Sequence, residues 1–304
     1  NFKLPKQSTK AILQIPQVAS FLNKIEDFWL VIYKPMPALE KYCNKMNWKL
    51  IANKYSVREM LENKKNFREL LIKSGVKAIT GEIFRSEQFV ESFYMFLVEK
   101  FGNSLVFQIA EITCGGGLGT SFINSSSDYL LFLNKLSEYK TKHPEIVRVH
   151  VNVTKYIDGV PASIISCATE KGTITGSLQA QIQDIEVVTD PKKGSGLYCG
   201  HDWALLAGRN EMLERAKKIA KTFGDYISKN LGYKGLFGID LLVDMNTNEV
   251  YPVECNPRYT DLFPIVSMNA LSSGVLPLDI FHILAFVNPT YNTDIEKISQ
   301  SHTF

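Results

Sequence analysis

The stretch Gly235-Leu236-Phe237-Gly238-Ile239-Asp240-Leu241-Leu242-Val243-Asp244 is followed, after a short polar turn, by Val250-Tyr251-Pro252-Val253-Glu254-Cys255-Asn256-Pro257-Arg258. The first segment reads as an apolar strand. Met245 to Glu249, with Asn246-Thr247-Asn248 at its centre, reads as a turn, and Val250 to Glu254 as the return strand of a hairpin. Strand side chains alternate faces, so Glu254 and Asn256 point the same way. Asp240 joins them only if it lies opposite position 254, which requires a loop of the five residues 245–249. A slip of one residue would turn it to the other face. Three hard oxygen donors beside a fixed guanidinium suit Mg²⁺ bound to a nucleotide triphosphate.

Composition narrows the alternatives. With 304 residues the chain can hold about two domains with cores of their own. A net charge of +3, spread evenly, argues against a nucleic-acid partner. The longest apolar run, around Leu278 to Val287, contains Asp279 and His282 and reads as a buried helix, so no membrane partner is expected. No signal peptide is visible, and the sequence opens on Asn1, as a trimmed or partial chain would. The five cysteines (Cys43, Cys114, Cys167, Cys199, Cys255) are scattered, without Cys-x-x-Cys spacing, and fit reduced thiols in a cytoplasmic protein. Asn124-Ser125-Ser126 and Asn152-Val153-Thr154 read as chance matches to the glycosylation pattern, and the five histidines form no zinc cluster.

Along the chain, a strand at Trp29 to Tyr33, a helix at Pro37 to Met46 and a strand at Trp48 to Ala52 make a βαβ unit, hence a parallel pair. There is too little of it for a complete Rossmann-like domain. Val57 to Ser74 reads as one helix stopped by Gly75. Glu87 to Phe101 reads as a second, with Phe89, Phe93, Tyr94 and Phe96 as a core stripe. Strands follow at Leu105 to Ala110, Ser121 to Ile123, Val147 to Tyr156, Ala162 to Thr169 and Gly176 to Val188, with a helix over 126–140. Asp190 to Asp202 reads as a glycine-rich loop, Asn210 to Leu231 as a long helix ending at Gly232, and Leu276 to Phe286 as an apolar helix.

Two further segments bear on a nucleotide. The run Gly115-Gly116-Gly117-Leu118-Gly119-Thr120 lies between two strands, where glycines let main-chain N–H groups close on phosphate oxygens. It lacks the Gly-Lys-Ser/Thr of a Walker A loop, and a strand rather than a helix follows it, unlike a Rossmann fingerprint. Thr154-Lys155-Tyr156-Ile157-Asp158-Gly159 is a strand end running into a turn, where main-chain groups can meet an adenine.

The ordered set of Lys64 on a helix, the Gly115–Thr120 loop, the linker Lys155-Tyr156-Ile157, Gly238-Ile239-Asp240 and Glu254-Cys255-Asn256-Pro257-Arg258 resembles the ATP-grasp superfamily over roughly residues 55 to 285. The resemblance implies an α+β fold, with two lobes clasping ATP. It divides the chain into a partial Rossmann-like N-terminal domain (1–56), an N-lobe with the phosphate loop (57–150) and a C-lobe with the metal site (151–304). It implies a ligase that uses ATP to turn a carboxylate into an acyl phosphate, for attack by an amine, an amino acid or small peptide by family habit. Lys64 and the loop residues Gly115, Gly116, Gly117, Gly119 and Thr120 would contact phosphate. Lys155 and Ile157, with Tyr156 between them, would meet adenine. Asp240, Glu254 and Asn256 would ligate one or two Mg²⁺, with Mn²⁺ an allowed substitute, and Arg258 would steady the acyl phosphate.

Departures from the family pattern keep other readings open. Gln108 stands where many relatives have lysine and can give phosphate a hydrogen bond but no charge; Thr154 replaces an acidic residue. A nucleotide-binding module with weak or no ligase activity is one alternative, and a carboxylase on the same fold another. Against the biotin carboxylase branch, the strand Leu178 to Gln183 carries no basic residues and instead places Gln179, Gln181 and Gln183 on one face. Lys192, Lys193 and the glycines around them read equally as a lid or as a plain surface loop, Arg209 is a further phosphate candidate, and Tyr259 to Phe263 reads first as a simple turn into Pro264 and second as a substrate contact with Asp261 available to an ammonium group. The expected partners are a small carboxylate and an amine, with a homodimer left open.

Overall fold

The computed structural model describes residues 8–113, 117–188, 196–287, 291–292 and 294–303. In chain order its strands are β1 (Trp29–Val31), β2 (Lys49–Ile51), β3 (Gly81–Arg85), β4 (Leu105–Ile109), β5 (Thr120–Ile123), β6 (His150–Lys155), β7 (Val160–Thr169), β8 (Gly172–Gln183), β9 (Tyr198–Asp202), β10 (Gly235–Val243) and β11 (Val250–Asn256). They form a two-stranded sheet, a four-stranded sheet in the order β3-β6-β4-β5 and a five-stranded sheet in the order β11-β10-β7-β8-β9. The class is α+β, as expected.

The N-terminal pair β1 and β2 is parallel, joined across the helix Pro37–Lys45, which is the anticipated βαβ unit. Its small core gathers Leu39, Cys43 and Trp48. Asn53, just past β2, fastens this unit to the next: its Nδ2 donates to the Lys234 carbonyl (2.6 Å), and its Oδ1 accepts from the Lys234 N–H (2.9 Å).

The helix expected over Val57 to Ser74 is two helices, Tyr55–Glu62 and Lys64–Ser74. Asn63 breaks them by adopting an extended conformation (ψ 122°) and capping the second with its side chain, which accepts from the Asn66 N–H at 3.1 Å. Asn is a strong N-cap because its side-chain oxygen satisfies a donor that the helix start leaves open. Lys64 is therefore the first residue of its helix. That helix ends at Gly75 in the left-handed conformation. Its inner face (Phe67, Leu70, Leu71) packs with Phe223, Phe237 and Ile239 of the five-stranded unit. The division expected at 57 and 150 is thus displaced in two ways. Residues 61–76 contribute to the core under the second large sheet, and β6 belongs to the four-stranded sheet, pairing with β3 and β4.

Aromatic packing fills the four-stranded unit: Phe84, Phe89, Phe107, Tyr129 and Phe132 share one cluster. The helix expected over Glu87 to Phe101 begins only at Phe93, after a 3₁₀ turn at Ser86–Gln88. Phe89 sits in the bend, where its ring meets Phe107 and Phe132. The five-stranded sheet is antiparallel throughout. The helix Asn210–Leu231, as expected, packs its buried side chains against one face of it. The helices Phe263–Ser272 and Leu278–Val287 pack on the other. The loop expected over 190–202 ends in strand β9, paired with β8. Cys43, Cys167, Cys199 and Cys255 are free thiols. No helix among the described residues is long and apolar enough to cross a membrane.

Candidate active site

A cleft of about 960 Å³ opens between the two larger sheets, lined by Gln108, Asn152 and Thr154 from one and by Ser163, Gln181 and Asp240 from the other. The β10–β11 hairpin builds the corner that holds the three expected metal ligands. The connection is six residues long, 244–249, because Val243 pairs with Val250. That is one residue more than the sequence reading required, and a regular ladder would have set Asp240 opposite Val253. A bulge restores the register: Leu241 pairs with Pro252, but Asp240 pairs with Glu254 and Gly238 with Asn256. Asp240, Glu254 and Asn256 all line the cleft.

A line of hydrogen bonds crosses this corner. Gln183 Nε2 donates to Gln181 Oε1 (2.7 Å), and Gln181 Nε2 to Asp240 Oδ1 (2.8 Å). Asn256 Nδ2 donates to Asp240 Oδ2 (2.9 Å), and Arg258 Nη2 to Asn256 Oδ1 (3.0 Å). The glutamine row therefore divides: Gln181 and Gln183 line the cleft, while Gln179 is fully buried and bonds to Ser177. Lys64, buried at its helix start, holds Glu254 Oε2 at 3.0 Å.

The surroundings of Asp240 work against its charged form. Burial, and then the Glu254 carboxylate opposite, push the Asp240 carboxyl up to about 7, against the opposing pull of Asn256, Gln181 and Arg258. A hard divalent cation would relieve that conflict, and two carboxylates with an amide oxygen are the donors it prefers. Among the described residues no three His, Cys, Asp or Glu side chains gather as a ligand group, so the amide of Asn256 is needed to complete the set. These residues fit Mg²⁺.

Beyond the corner, Arg258 is fixed on several sides. Its Nη1 donates to the Tyr259 carbonyl (3.0 Å) and to the Tyr33 hydroxyl (3.2 Å), and its Nε lies 3.5 Å from Glu62 Oε1. Glu62 is buried between Arg58 and Arg258, and desolvation raises its carboxyl above the ordinary range although both guanidinium groups pull it down.

The four-stranded sheet forms the other side of the cleft, where the sequence places the nucleotide contacts. Gln108 and Asn152 are opposite one another, and Asn152 Nδ2 donates to Gln108 Oε1 at 3.1 Å. The amide nitrogen of Gln108 thus remains the group able to donate into the cleft. Of the glycine loop, Gly117 (φ +68°), Gly119 and Thr120 line the cleft, and Thr120 N–H closes the turn on the Gly117 carbonyl at 2.9 Å. Gly115 and Gly116 lie outside the described residues, as do Lys192 and Lys193. A side chain on Gly196 would come within 3.9 Å of Gly117 Cα, so the loop reaches across to the segment before β9. Lys155, Tyr156 and Ile157 all line the cleft. The Lys155 and Tyr156 N–H groups are taken by the carbonyls of Thr80 and Ser104, each at 2.9 Å. Among these three residues, Ile157 supplies the N–H without a protein partner.

Some expectations change. Arg209 is exposed at the start of its helix and does not line the cleft. Arg68, Tyr33, Tyr198 and His201 do line it and were not singled out. Arg68 lies one helical turn from Lys64, a spacing that could have marked it. Tyr33 and His201 arrive from distant elements and leave no local signal.

The model of the ATP-grasp domain family matches residues 116–261, which contain the linker, the β10–β11 hairpin and all of the glycine loop but Gly115. Residues 116–261 of the chain form an ATP-grasp domain. Its relatives within the superfamily are distant. The [Butirosin acyl-carrier protein]--L-glutamate ligase of Niallia circulans is 23% identical over 219 residues, 72% of this chain and 48% of that protein. The chain thus spans about half the length of that curated relative. A biotin carboxylase from Campylobacter jejuni, solved with a β,γ-ATP compound, superposes with a TM-score of 0.65 at 17% identity, covering 96% of this chain and 61% of that one. The biotin carboxylase domain dimer of Hydrogenobacter thermophilus 2-oxoglutarate carboxylase, solved with MgADP, gives a TM-score of 0.65 at 13% identity, covering 95% and 60%. The ATP-grasp fold accounts for the cleft between two sheets and for the hairpin at its floor.

Proposed function

We propose that this ATP-grasp protein is an ATP- and Mg²⁺-dependent ligase that joins a small carboxylate to an amine. The observation that carries the reading is the convergence of Asp240, Glu254, Asn256, Lys64 and Arg258 in one cleft, next to a glycine turn and an open main-chain donor at Ile157. In this reading the carboxylate oxygen attacks the terminal phosphorus of ATP, the bond to the bridging oxygen breaks, and ADP leaves. The amine then attacks the acyl carbon, phosphate departs with the bonding pair, and the nitrogen loses a proton to water.

The chain's own residues account for the requirements of such a transfer, which are positioning and charge neutralisation more than covalent help. Lys64 sits at a helix N-terminus and offers a fixed ammonium to the phosphates. The main chain of Gly117 to Thr120 and the Gln108 amide offer neutral donors. Asp240, Glu254 and Asn256 would hold the metal, which neutralises and aligns phosphate oxygens when bound. Arg258 is planar, held by Asn256 and Tyr259, and suits two oxygens of an acyl phosphate. Support from outside the chain comes from the ligase and carboxylase relatives.

The test is release of ADP and phosphate on mixing the protein with MgATP, a carboxylate panel and an amino-acid pool. Glu254→Gln should abolish turnover and weaken MgADP binding while the unfolding transition stays cooperative. Full activity in that variant would refute the metal assignment. A second reading, a nucleotide-binding module without turnover, is favoured by the uncharged Gln108 and Thr154. MgADP binding with no ADP release across the panel would select it.

A further inference from the structure

Past Arg258 the chain turns through Tyr259-Thr260-Asp261 into the helix Phe263–Ser272. Asp261 lines the cleft, and its Oδ1 accepts from the Tyr33 hydroxyl at 3.2 Å. Glu254 has Lys64, and Glu62 has Arg58 and Arg258, but among the described residues Asp261 has no cation within ion-pair distance. Three aromatic rings also line this end of the cleft: Tyr33 from just past β1, and Tyr198 and His201 from β9. All three feel the Asp261 charge, which works to raise the affinity of each for its proton.

His201 is locked. Its Nδ1 lies 2.9 Å from the Tyr198 hydroxyl and its Nε2 3.0 Å from Ser163 Oγ, and Trp203 packs 6.0 Å from its ring centre. Burial lowers its pKa to about 4, so at neutral pH the ring carries no charge and does not repel a cation. Ser163 pairs with Asp240 across β7 and β10, which sets this end directly beside the metal corner. An unpaired carboxylate among aromatic rings is the surrounding that an organic ammonium group prefers, through Coulomb attraction and the negative faces of the rings. The Tyr33 hydroxyl also accepts from Arg258, so a carboxylate-binding cation and a free anion stand on either side of one phenol oxygen. That spacing of opposite charges matches a zwitterion.

We propose that Asp261, with Tyr33, Tyr198 and His201 around it, forms a subsite for the ammonium group of an amino acid or peptide. The subsite stands on the cleft geometry alone; calling its occupant a substrate rests on the ligase reading above. The experiment is calorimetric titration of the whole chain, with and without MgADP, using the twenty L-amino acids, simple primary alkylamines and the N-acetyl form of each. At least one free amino acid should bind. N-acetylation and Asp261→Asn should each weaken it by about ten-fold or more, with MgADP affinity held within about two-fold. Tyr198→Ala should lose a comparable factor and Tyr198→Phe, which keeps the ring, should not. Undiminished binding to Asp261→Asn, or no amine bound in either nucleotide state, overturns the subsite. Amine binding that obeys these rules in a protein that never releases ADP would leave the subsite standing and remove the ligase reading.

Discussion

Asp240 is where the cost of assembling this site is concentrated. Two carboxylates face each other across a hairpin, and burial favours the neutral form of the inner one. Without a metal its folded pKa, about 7, is above the ordinary carboxyl value of 3.8. The fold therefore favours the protonated form. That contribution to stability is complete below about pH 4 and disappears as pH rises through about 7. The melting temperature of the metal-free protein should fall between about pH 5 and 8 relative to that of Asp240→Asn, which cannot titrate there. MgADP should close the gap. Parallel curves for the two proteins would show that no such conflict exists. Arg258 makes a different demand. Its planar fork is held by Asn256 and Tyr259, and a lysine cannot reproduce both bonds. Arg258→Lys should lower kcat about 100-fold or more while leaving MgADP affinity nearly unchanged, as single-turnover and binding measurements would show. An unaltered kcat would exclude the acyl-phosphate role.

Among the elements, two local irregularities aim the site. The bulge at Val253 absorbs the extra loop residue, and only because of it do Asp240 and Glu254 meet. The alternation of the hairpin was legible in the sequence, since the apolar and acidic positions mark its faces. The bulge was not, because one extra residue leaves composition unchanged. The break at Asn63 is the second device. The pattern of Lys, Glu and Leu over 57–74 runs through it without interruption, so periodicity alone indicated one helix. The cap places Lys64 at a helix start and turns it toward Glu254. Asn63→Ala removes the side-chain acceptor for the Asn66 N–H and should cost about 1 kcal/mol in urea unfolding. Asn63→Asp should restore it, and a loss equal to that of Ala would mean the cap is not what holds the turn.

At the scale of the whole molecule, the cleft exists because three units are fastened together. Asn53 uses both ends of its amide on the Lys234 main chain, tying the N-terminal unit to the start of β10. The same unit delivers Tyr33 to the far end of the cleft. Asn53→Ala leaves a half-buried N–H and C=O without partners and should destabilise the fold by about 1–3 kcal/mol. Amide exchange should then speed up in β1 and β2 before it does in β10. Uniform exchange across all three strands would show that the tie is not local.

The sequence by itself determined the class of fold, the hairpin with its acidic and amide side chains, the glycine turn and the linker. Each of these is a short-range pattern, in which the backbone period or the chemistry of a few adjacent residues is enough. Only the tertiary structure decided that residues 61–76 join the core of the five-stranded sheet, that β6 belongs to the other, and that 198–202 pair as a strand. It alone brought Tyr33, Tyr198, His201 and Asp261 to one place, because residues that far apart along the chain are brought together by packing, which a local pattern does not encode.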